Sequence, residues 1–366
     1  MPDGVDKPRG LQQFGSLPTP AVVSLACLAA IVLASTLIVH EHGLHGDDVA
    51  YQLIAANPIA PHSFPYAFRI GVPWLAHGVH ALGLSYTASF GLLGYLATAA
   101  SGGAMYALLR EFDVDLRLAV ALALAFAVSP ILLVASLRNG RSVDPASILV
   151  LILGCLFIVR RSKLALCITM LLGVTVRESS LFLVPLAYAV WAERPFDRRA
   201  LTDVALASAL PIAGYVVLRI AVSTVGEAHL PAYNGSFLQA RLDELRSGIQ
   251  NGGWKLQLRR LVAVFGPLWL VAPFALRDLR FARRGLILVL LCVLAMTYAL
   301  DWDRIVVLLA PVIYVASAHV IQHRRRLAVA TLAGLLALDV GYGIYMQVHG
   351  VRYGVDGTGP ALYRVY

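Results

Sequence analysis

Residues 146–194 read ASILVLILGCLFIVRRSKLALCITMLLGVTVRESSLFLVPLAYAVWAER, and this segment indicates the fold class most clearly. Three apolar runs lie in it, separated by two short breaks of different kinds. All the charged residues of the first break, Arg160-Arg161-Ser162-Lys163, are basic. The second break, Arg177-Glu178, combines an arginine with an acid. Apolar runs with short charged breaks are typical of helices that cross a membrane several times.

The composition of the whole chain favours the same class. Of its 366 residues 59% are hydrophobic and 14% are charged, and the mean hydropathy is +0.74. In soluble domains roughly a quarter of the residues are charged. The net charge is +9, but the arginines sit at the ends of apolar runs without interleaved aromatic residues, so no nucleic acid is expected as a partner. The four cysteines fall inside apolar runs and are expected to be core residues, not disulfides or zinc ligands.

The sequence therefore predicts an all-α, polytopic transmembrane bundle of about 11 spans (roughly 10–12) in a single domain, residues 21–346. The predicted spans are 21–39, 86–109, 117–137, 144–160, 164–176, 180–192, 201–222, 258–276, 284–300, 304–321 and 326–346. The pair 164–176 and 180–192 is short for two ideal spans, and forms either two tilted helices or a re-entrant hairpin around Arg177-Glu178. Residues 68–84 are apolar but interrupted, and predict a helix along the membrane surface.

Charge gives the predicted orientation. Lys and Arg concentrate in alternate loops, and such loops are cytoplasmic. This places the tail 1–20 inside, the tail 347–366 outside, and the two longest loops, 40–85 and 223–257, on the outer face. The first apolar run is expected to be an uncleaved anchor and not a signal peptide. The compact acidic or mixed motifs at 40–48, 138–144, 177–180 and 301–304 then share the outer face.

Two adjacent aspartates follow the first predicted span. Asp48 is suited to cap a helix over residues 49–56, which Asn57-Pro58 would end. A second aspartate, Asp47, exceeds what capping needs. A carboxylate among apolar walls near a membrane is suited to take a proton from a hydroxyl group. Both aspartates are therefore candidates for a general base.

A group of histidines precedes these aspartates. His40, His42 and His45 could bind a divalent cation together with an acid, with His42 and His45 the weak candidates for ligands, or could be interfacial residues. Their spacing enforces no coordination face. No resident cofactor is expected, although a divalent cation is possible.

Three arginines lie beside predicted helix ends on the outer face. Arg69 lies in Pro65-Tyr66-Ala67-Phe68-Arg69-Ile70, and either extends its charge to the membrane surface or binds a phosphate. Arg177 either pairs with Glu178 or another loop, or has a functional role. Arg304 begins a helix, where a cation is unfavourable unless it has an anionic partner.

The other charged residues of the outer turns are candidates for orienting a substrate. They are Arg138, Arg141, Asp144, Glu178, Asp301 and Asp303. One of the acids in Asp301-Trp302-Asp303 is equally explained as an ordinary helix start.

The order of these parts resembles the C-type (GT-C) membrane glycosyltransferases. After one span comes Gly46-Asp47-Asp48, then a surface-helix region with Arg69, and later the outer charges at Asp144, Arg177-Glu178 and 301–304. The resemblance covers most of the chain as architecture, through short motifs of moderate specificity. The chain departs from larger members in lacking a C-terminal soluble domain.

The resemblance implies an inverting sugar transfer on the outer face of a membrane, with the bacterial inner membrane as the expected location. The donor would be a polyprenyl-phosphate-linked sugar, and the acceptor a hydroxyl group of a glycan, lipid or protein. Asp47, with Asp48 as second choice, would be the general base. Arg69, Arg177 and Arg304 would bind the donor phosphate, and Glu178, Asp301 and Asp303 would orient sugar hydroxyls or those arginines.

Two other classes stay open. A transporter or lipid flippase also carries intramembrane ion pairs, but typically near the midplane and in two related halves, and no repeat is visible here. A non-catalytic membrane assembly factor would tolerate neutralisation of the outer acids.

Overall fold

The computed structural model describes residues 19–36, 47–63, 66–138, 141–222, 224–225, 243, 258, 261–297 and 302–348. The predicted all-α class is confirmed. The α-helices are α1 Pro20–Ser35, α2 Asp47–Ala56, α3 Gly71–Ala81, α4 Tyr86–Arg110, α5 Leu116–Ala127, α6 Asp144–Val159, α7 Lys163–Val176, α8 Leu183–Trp191, α9 Arg198–Ala221, α10 Leu268–Val271, α11 Arg280–Met296, α12 Trp302–Val306, α13 Ala310–Ile321 and α14 Arg325–Val348.

Shorter elements connect these helices. Segments of 3-10 helix cover Tyr66–Phe68, Glu178–Phe182, Ala272–Leu276 and Val307–Leu309, and a π-helical segment covers Ile131–Arg138. Two strands of two residues, β1 His62–Ser63 and β2 Thr224–Val225, pair in parallel, with His62 opposite Thr224. The segment before Tyr66 is thereby joined to the segment that follows α9.

Three helical stretches in the described part are long and apolar enough to cross a membrane: Tyr86–Arg110, Arg198–Ala221 and Arg304–Ile321. Five apolar helices of 10–17 residues accompany them, including α1, α5, α6 and α7. These lengths and compositions are compatible with a membrane protein.

Helix α4 is central to the packing, with α1 and α6 against it. Its Gly102 and Gly103 permit the close approach of α1. A Cβ atom at Gly103 would lie 2.0 Å from Ser24 Oγ and 2.6 Å from the carbonyl oxygen of Pro20. The side chains between the helices, among them Cys27, Met105 and Phe126, form one continuous hydrophobic core.

Two groups of charged residues lie at opposite ends of this bundle. At one end, where α4 and α6 finish, Arg160 forms an ion pair with Glu111 at 2.7 Å. Lys163, at the start of α7, pairs there with Asp203 of α9. We call this the basic end. At the other end, where α2 and α6 begin and α7 finishes, lie Asp47, Asp144 and Arg177; we call it the carboxylate end.

Helices α7 and α8 each run between the two ends of α6. Arg177, which follows α7, pairs with Asp144 at the first residue of α6. Trp191, the last residue of α8, donates its indole N–H to the carbonyl of Ile158 near the end of α6, at 2.8 Å. Residues 164–192 thus form two helices that both extend between the ends of α6, separated by the 3-10 segment Glu178–Phe182. Whether they cross a membrane stays a prediction.

The predicted span 117–137 is wrong as a single helix. Helix α5 ends at Ala127, and a separate π-helical segment begins at Ile131. Pro130 lies between them. Proline has no N–H to donate to the preceding turn, and its ring disfavours helical geometry in the residue before it. The predicted cap at Asp48 is also wrong, because α2 begins at Asp47, two residues before the predicted start, and both aspartates lie in its first turn.

A second, smaller apolar cluster lies at the carboxylate end. Tyr51 and Ile54 of α2, Val72 and Ala76 of α3, and Val176 of α7 are buried in it. The helix predicted within 68–84 is confirmed as α3. Its placement along a membrane surface stays a prediction. The cluster fixes α2 and α3 against the ends of the longer helices.

Candidate functional site

The site begins with Asp47 in the first turn of α2. Its Oδ1 accepts a hydrogen bond from the Tyr66 hydroxyl at 2.7 Å. Its Oδ2 accepts one from Arg304 Nη1 at 2.9 Å. The Asp47 side chain is still 31% exposed, so its carboxylate can be reached from outside the protein.

Asp144 is the buried centre of the site, with a side chain only 4% exposed. Arg304 Nε donates to its Oδ2 at 2.6 Å, and Arg177 Nη1 donates to its Oδ1. Arg304 thus joins Asp144 to Asp47, and it lies 257 residues after Asp47 in the sequence. This supplies the anionic partners that a cation at the start of a helix requires.

Arg69 and Glu178 form the other half of the site. Arg69 donates from Nη2 to Glu178 Oε1 at 2.8 Å and from Nε to Oε2 at 3.3 Å, a two-point pairing. Its Nη1 donates to the Tyr51 hydroxyl at 3.0 Å. Arg69 is buried, and each of its three side-chain nitrogens donates to Glu178 or Tyr51.

We call Asp47, Asp144, Glu178, Arg69, Arg177 and Arg304 the charged cluster. Its three carboxylates and three guanidinium groups balance formally. The pairing between the neighbours Arg177 and Glu178, considered from sequence, is not the observed one: Arg177 pairs with Asp144, and Glu178 pairs with Arg69. Charge balance explains how a set this buried is stable at the end of an apolar bundle.

Gly71 lets α3 approach the end of α7 closely. It opens α3, two residues after Arg69, and lies against the end of α7. A Cβ atom there would be 2.5 Å from Thr175 Oγ1 and 3.2 Å from the Thr175 carbonyl oxygen. Only glycine fits without displacing α3 from α7, and that contact brings Arg69 within reach of Glu178.

The environment of Asp47 keeps it ionised. Burial by itself raises the pKa of this carboxyl. The charge of Arg304, with hydrogen bonds from Tyr66 and Arg304, outweighs burial and holds the pKa below its ordinary value of 3.8. Burial and the neighbouring Asp47 raise the pKa of Tyr66, which therefore keeps the proton that it donates. Asp47 is an acceptor at neutral pH, the state in which a general base acts.

Asp48 differs from its neighbour. It is buried, at 4% exposure, and its charge acts on Arg141. Arg141 donates from Nη2 to Thr87 Oγ1 at 2.7 Å. Of the two predicted bases, Asp47 is the one that an acceptor can reach.

The arginines differ in how they are engaged. Within the described part of the chain, the guanidinium of Arg177 donates one hydrogen bond, from Nη1, although the group carries five N–H donors. Arg304 bridges two carboxylates, and Arg69 uses all three nitrogens. Of the three arginines, Arg177 therefore has the greatest capacity to donate hydrogen bonds to a phosphate.

Some predicted residues lie outside what the structure describes. These are His40, His42, His45, Asp301 and the side chains of Arg138 and Asp303. Among the residues that are described, no group of three His, Cys, Asp or Glu is placed to hold a metal ion.

Tyr51 and Tyr66 are the site residues that the sequence analysis missed. Their rings meet edge to face, with centroids 5.5 Å apart, and their hydroxyls contact Arg69 and Asp47. One signal was available. Tyr51 follows Asp47 by four residues, which puts both on one face of α2.

Comparison with known proteins adds no family to this description. No protein-family model matches the chain, and no curated protein matches it.

Proposed function

We propose that this chain is a membrane glycosyltransferase of the C type, which transfers a sugar from a polyprenyl-phosphate donor to a hydroxyl acceptor with inversion. The observation that carries the proposal is the convergence of Asp47 with Arg304 and Arg177 at one end of an apolar bundle. A base for the acceptor hydroxyl and cations for a phosphate leaving group are what this transfer needs.

We assign a role to each charged side chain according to how exposed it is. Asp47 takes the proton of the acceptor. Arg177 and Arg304 neutralise the charge that develops on the departing lipid phosphate. Asp144 holds these two arginines in position, and the ion pair of Arg69 with Glu178 stabilises the neighbouring part of the charged cluster.

The proposed topology has about 11 spans, with the N-terminus in the cytoplasm and the carboxylate end on the outer face of a bacterial inner membrane. The opposite placement of the cluster and the basic end supports this orientation. So does the position of the cluster at helix ends: Asp47 and Asp144 are the first residues of α2 and α6, and Arg177 directly follows α7.

A transporter or flippase is the alternative class. Its ion pairs would be expected nearer the middle of the helices. A non-catalytic assembly factor is the third class.

Purified protein in lipid nanodiscs, incubated with a panel of radiolabelled polyprenyl-phosphate sugars, tests the proposal. We expect transfer or slow hydrolysis of at least one donor. Folded protein that releases no labelled sugar from any donor would favour the transporter or the assembly factor.

A further inference from the structure

Three arginines lie together at the start of α11, at the basic end of the bundle. Arg280, Arg283 and Arg284 are all among the first five residues of this helix. The charges of Arg280 and Arg283 both act on Arg284. The positive end of the helix dipole lies at the same place, so three cations are unfavourable there unless an anion accompanies them.

The other helices that start at the basic end have an acid at this position. Asp115 caps α5 and accepts hydrogen bonds from two backbone N–H groups, and Asp197 caps α9 in the same way. Helix α11 has no acid in its first turn, and Leu279 before it provides no side-chain cap. Within the described part of the chain, no acid forms an ion pair with any of the three arginines. The anion that this helix start requires is therefore expected from outside these residues.

Contacts with the end of α8 fix two of the three guanidinium groups. Arg280 Nη2 donates to the carbonyl oxygen of Ala192 at 3.1 Å, and Arg284 Nη1 donates to that of Ala189. Each group has five N–H donors and, among the described residues, uses one of them. Arg283 is exposed, and its side chain makes no hydrogen bond to any described residue. Most of the donors at this place thus remain for another acceptor.

An exposed apolar stripe continues from Arg283 along α11. Leu286, Leu290 and Val293 follow Arg283 by three, seven and ten residues, which puts all four on one face of the helix. Each of the three apolar side chains is about half exposed. Cations at the end of a helix, followed by an exposed apolar face, match a phospholipid whose headgroup lies at the membrane surface and whose acyl chain lies in the bilayer.

We infer that Arg280, Arg283 and Arg284 bind the anionic headgroup of a bilayer phospholipid, with an acyl chain along Leu286 and Leu290. The ligand class is a diacyl phospholipid of net negative charge, such as phosphatidylglycerol. Its charge would offset the repulsion among the arginines and supply the anion that the start of α11 lacks. The site lies at the end of the bundle opposite the charged cluster, so it is separate from the proposed donor site. The inference does not depend on the proposed function.

Native mass spectrometry of the detergent-solubilised chain, titrated with dioleoyl phosphatidylglycerol or dioleoyl phosphatidylcholine, tests the site. We expect phosphatidylglycerol to bind about tenfold more tightly than phosphatidylcholine, and Arg283→Gln to remove most of this difference. Arg283 is the residue to change because Arg280 and Arg284 also hold the end of α8. Arg117→Gln is the matched control, an exposed arginine at the same end of the bundle on α5.

Thermal unfolding gives an independent measurement. Without added lipid, we expect Arg283→Gln to melt at the wild-type temperature. Phosphatidylglycerol should then raise the melting temperature of the wild type more than that of the variant, because a ligand stabilises the folded state that binds it.

Three results would overturn the inference. Equal affinity of the wild type for the two lipids would show that the headgroup charge is not recognised. Equal losses in Arg283→Gln and Arg117→Gln would reduce the effect to a general attraction by the basic end. Competition by inorganic phosphate, or by dihexanoyl phosphatidylglycerol, as effective as by the dioleoyl lipid would mean that no acyl chain lies along α11.

Discussion

Asp144 shows how one buried residue organises a charged site. Its carboxylate receives both Arg177 and Arg304, and its side chain is almost inaccessible. It cannot meet an acceptor without rearrangement, so its role in the account is to position the arginines. The role in orienting a substrate that the sequence predicted for Asp144 stays a prediction.

We predict that Asp144→Asn destabilises the protein by about 3–5 kcal/mol, because removing one partner of a buried ion pair leaves uncompensated charge. Thermal unfolding in detergent measures this. Asp203→Asn is the control, since Asp203 pairs with Lys163 at the more exposed basic end and exposed pairs contribute about 0–1 kcal/mol. Equal, small losses in both variants would show that Asp144 is not a buried organising residue.

A second residue-scale prediction concerns Arg177. Lysine at this position can keep an ion pair with Asp144 but cannot offer a bidentate fork to phosphate. We therefore expect Arg177→Lys to keep near-normal stability and to bind a non-transferable donor analogue about tenfold more weakly. Arg69→Lys should instead lose stability, by about 1–3 kcal/mol, because it breaks the two-point pairing with Glu178.

Equilibrium binding and thermal unfolding of both variants check this division. Arg117→Lys, an exposed arginine at the start of α5, is the control for a generic loss of guanidinium. Unchanged binding in Arg177→Lys would make Arg177 an ion-pair partner only, and would favour the transporter or assembly-factor classes.

The sequence indicated every charged member of the cluster, because charged residues in breaks between apolar runs are few and stand out. It could not indicate which carboxylate meets which arginine. The contact of Arg304 with Asp47 depends on how helices pack across most of the chain. The two tyrosines were missed because tyrosine at the end of an apolar run is common and carries no charge signal.

Among the elements, α3 depends on one glycine. We predict that Gly71→Ala displaces α3 from α7 and costs about 1–3 kcal/mol, the usual range for overpacking. The Arg69–Glu178 pairing should weaken with it, so activity should fall as well. Gly78→Ala is the control in the same helix, because a Cβ atom at Gly78 would meet nothing within 4 Å.

Thermal unfolding and transfer assays on the two glycine variants decide this point. A neutral Gly71→Ala, matching Gly78→Ala, would mean that α3 and α7 separate without consequence and that their contact does not set the site.

The sequence predicted most helices, since apolar length and charged breaks mark them clearly. It did not predict the interruption after α5, because an apolar run gives no sign of how a single proline will be accommodated. Here Pro130 divides the run, and a π-helical segment follows. Helix α2 was expected from its caps, but its start was misplaced by the assumption that Asp48 lies outside it.

At the scale of the whole molecule, we predict that the carboxylate end faces outward and the basic end faces the cytoplasm. Ile59, 97% exposed, lies near the carboxylate end, and Phe196, 92% exposed, lies at the basic end after α8. With Cys167→Ser as background, we expect Ile59→Cys to react with a membrane-impermeant maleimide in intact cells. Phe196→Cys should react only after permeabilisation. The other three cysteines, Cys27, Cys155 and Cys292, are buried.

Labelling of Phe196→Cys in intact cells would contradict the predicted orientation, because the basic end would then lie outside and the charged cluster on the cytoplasmic side. The alternation of basic and mixed breaks predicted that the two kinds of charge separate, and the structure has them at opposite ends. The number of spans and the side of the membrane are whole-chain properties that helix lengths alone do not establish.

The most direct test of the account is single-turnover sugar transfer by Asp47→Asn. Asparagine keeps the shape of the side chain. Its single oxygen can accept a hydrogen bond from Arg304, and its NH2 group can donate one to the Tyr66 hydroxyl, but it is not a base. We predict that transfer falls roughly 100- to 10,000-fold, while binding of a non-transferable donor analogue and the melting temperature stay close to wild type. Asp48→Asn, at the buried neighbour, shows whether any carboxylate of this turn would give the same result. Near-normal turnover by Asp47→Asn would contradict the account, because the base would then lie elsewhere.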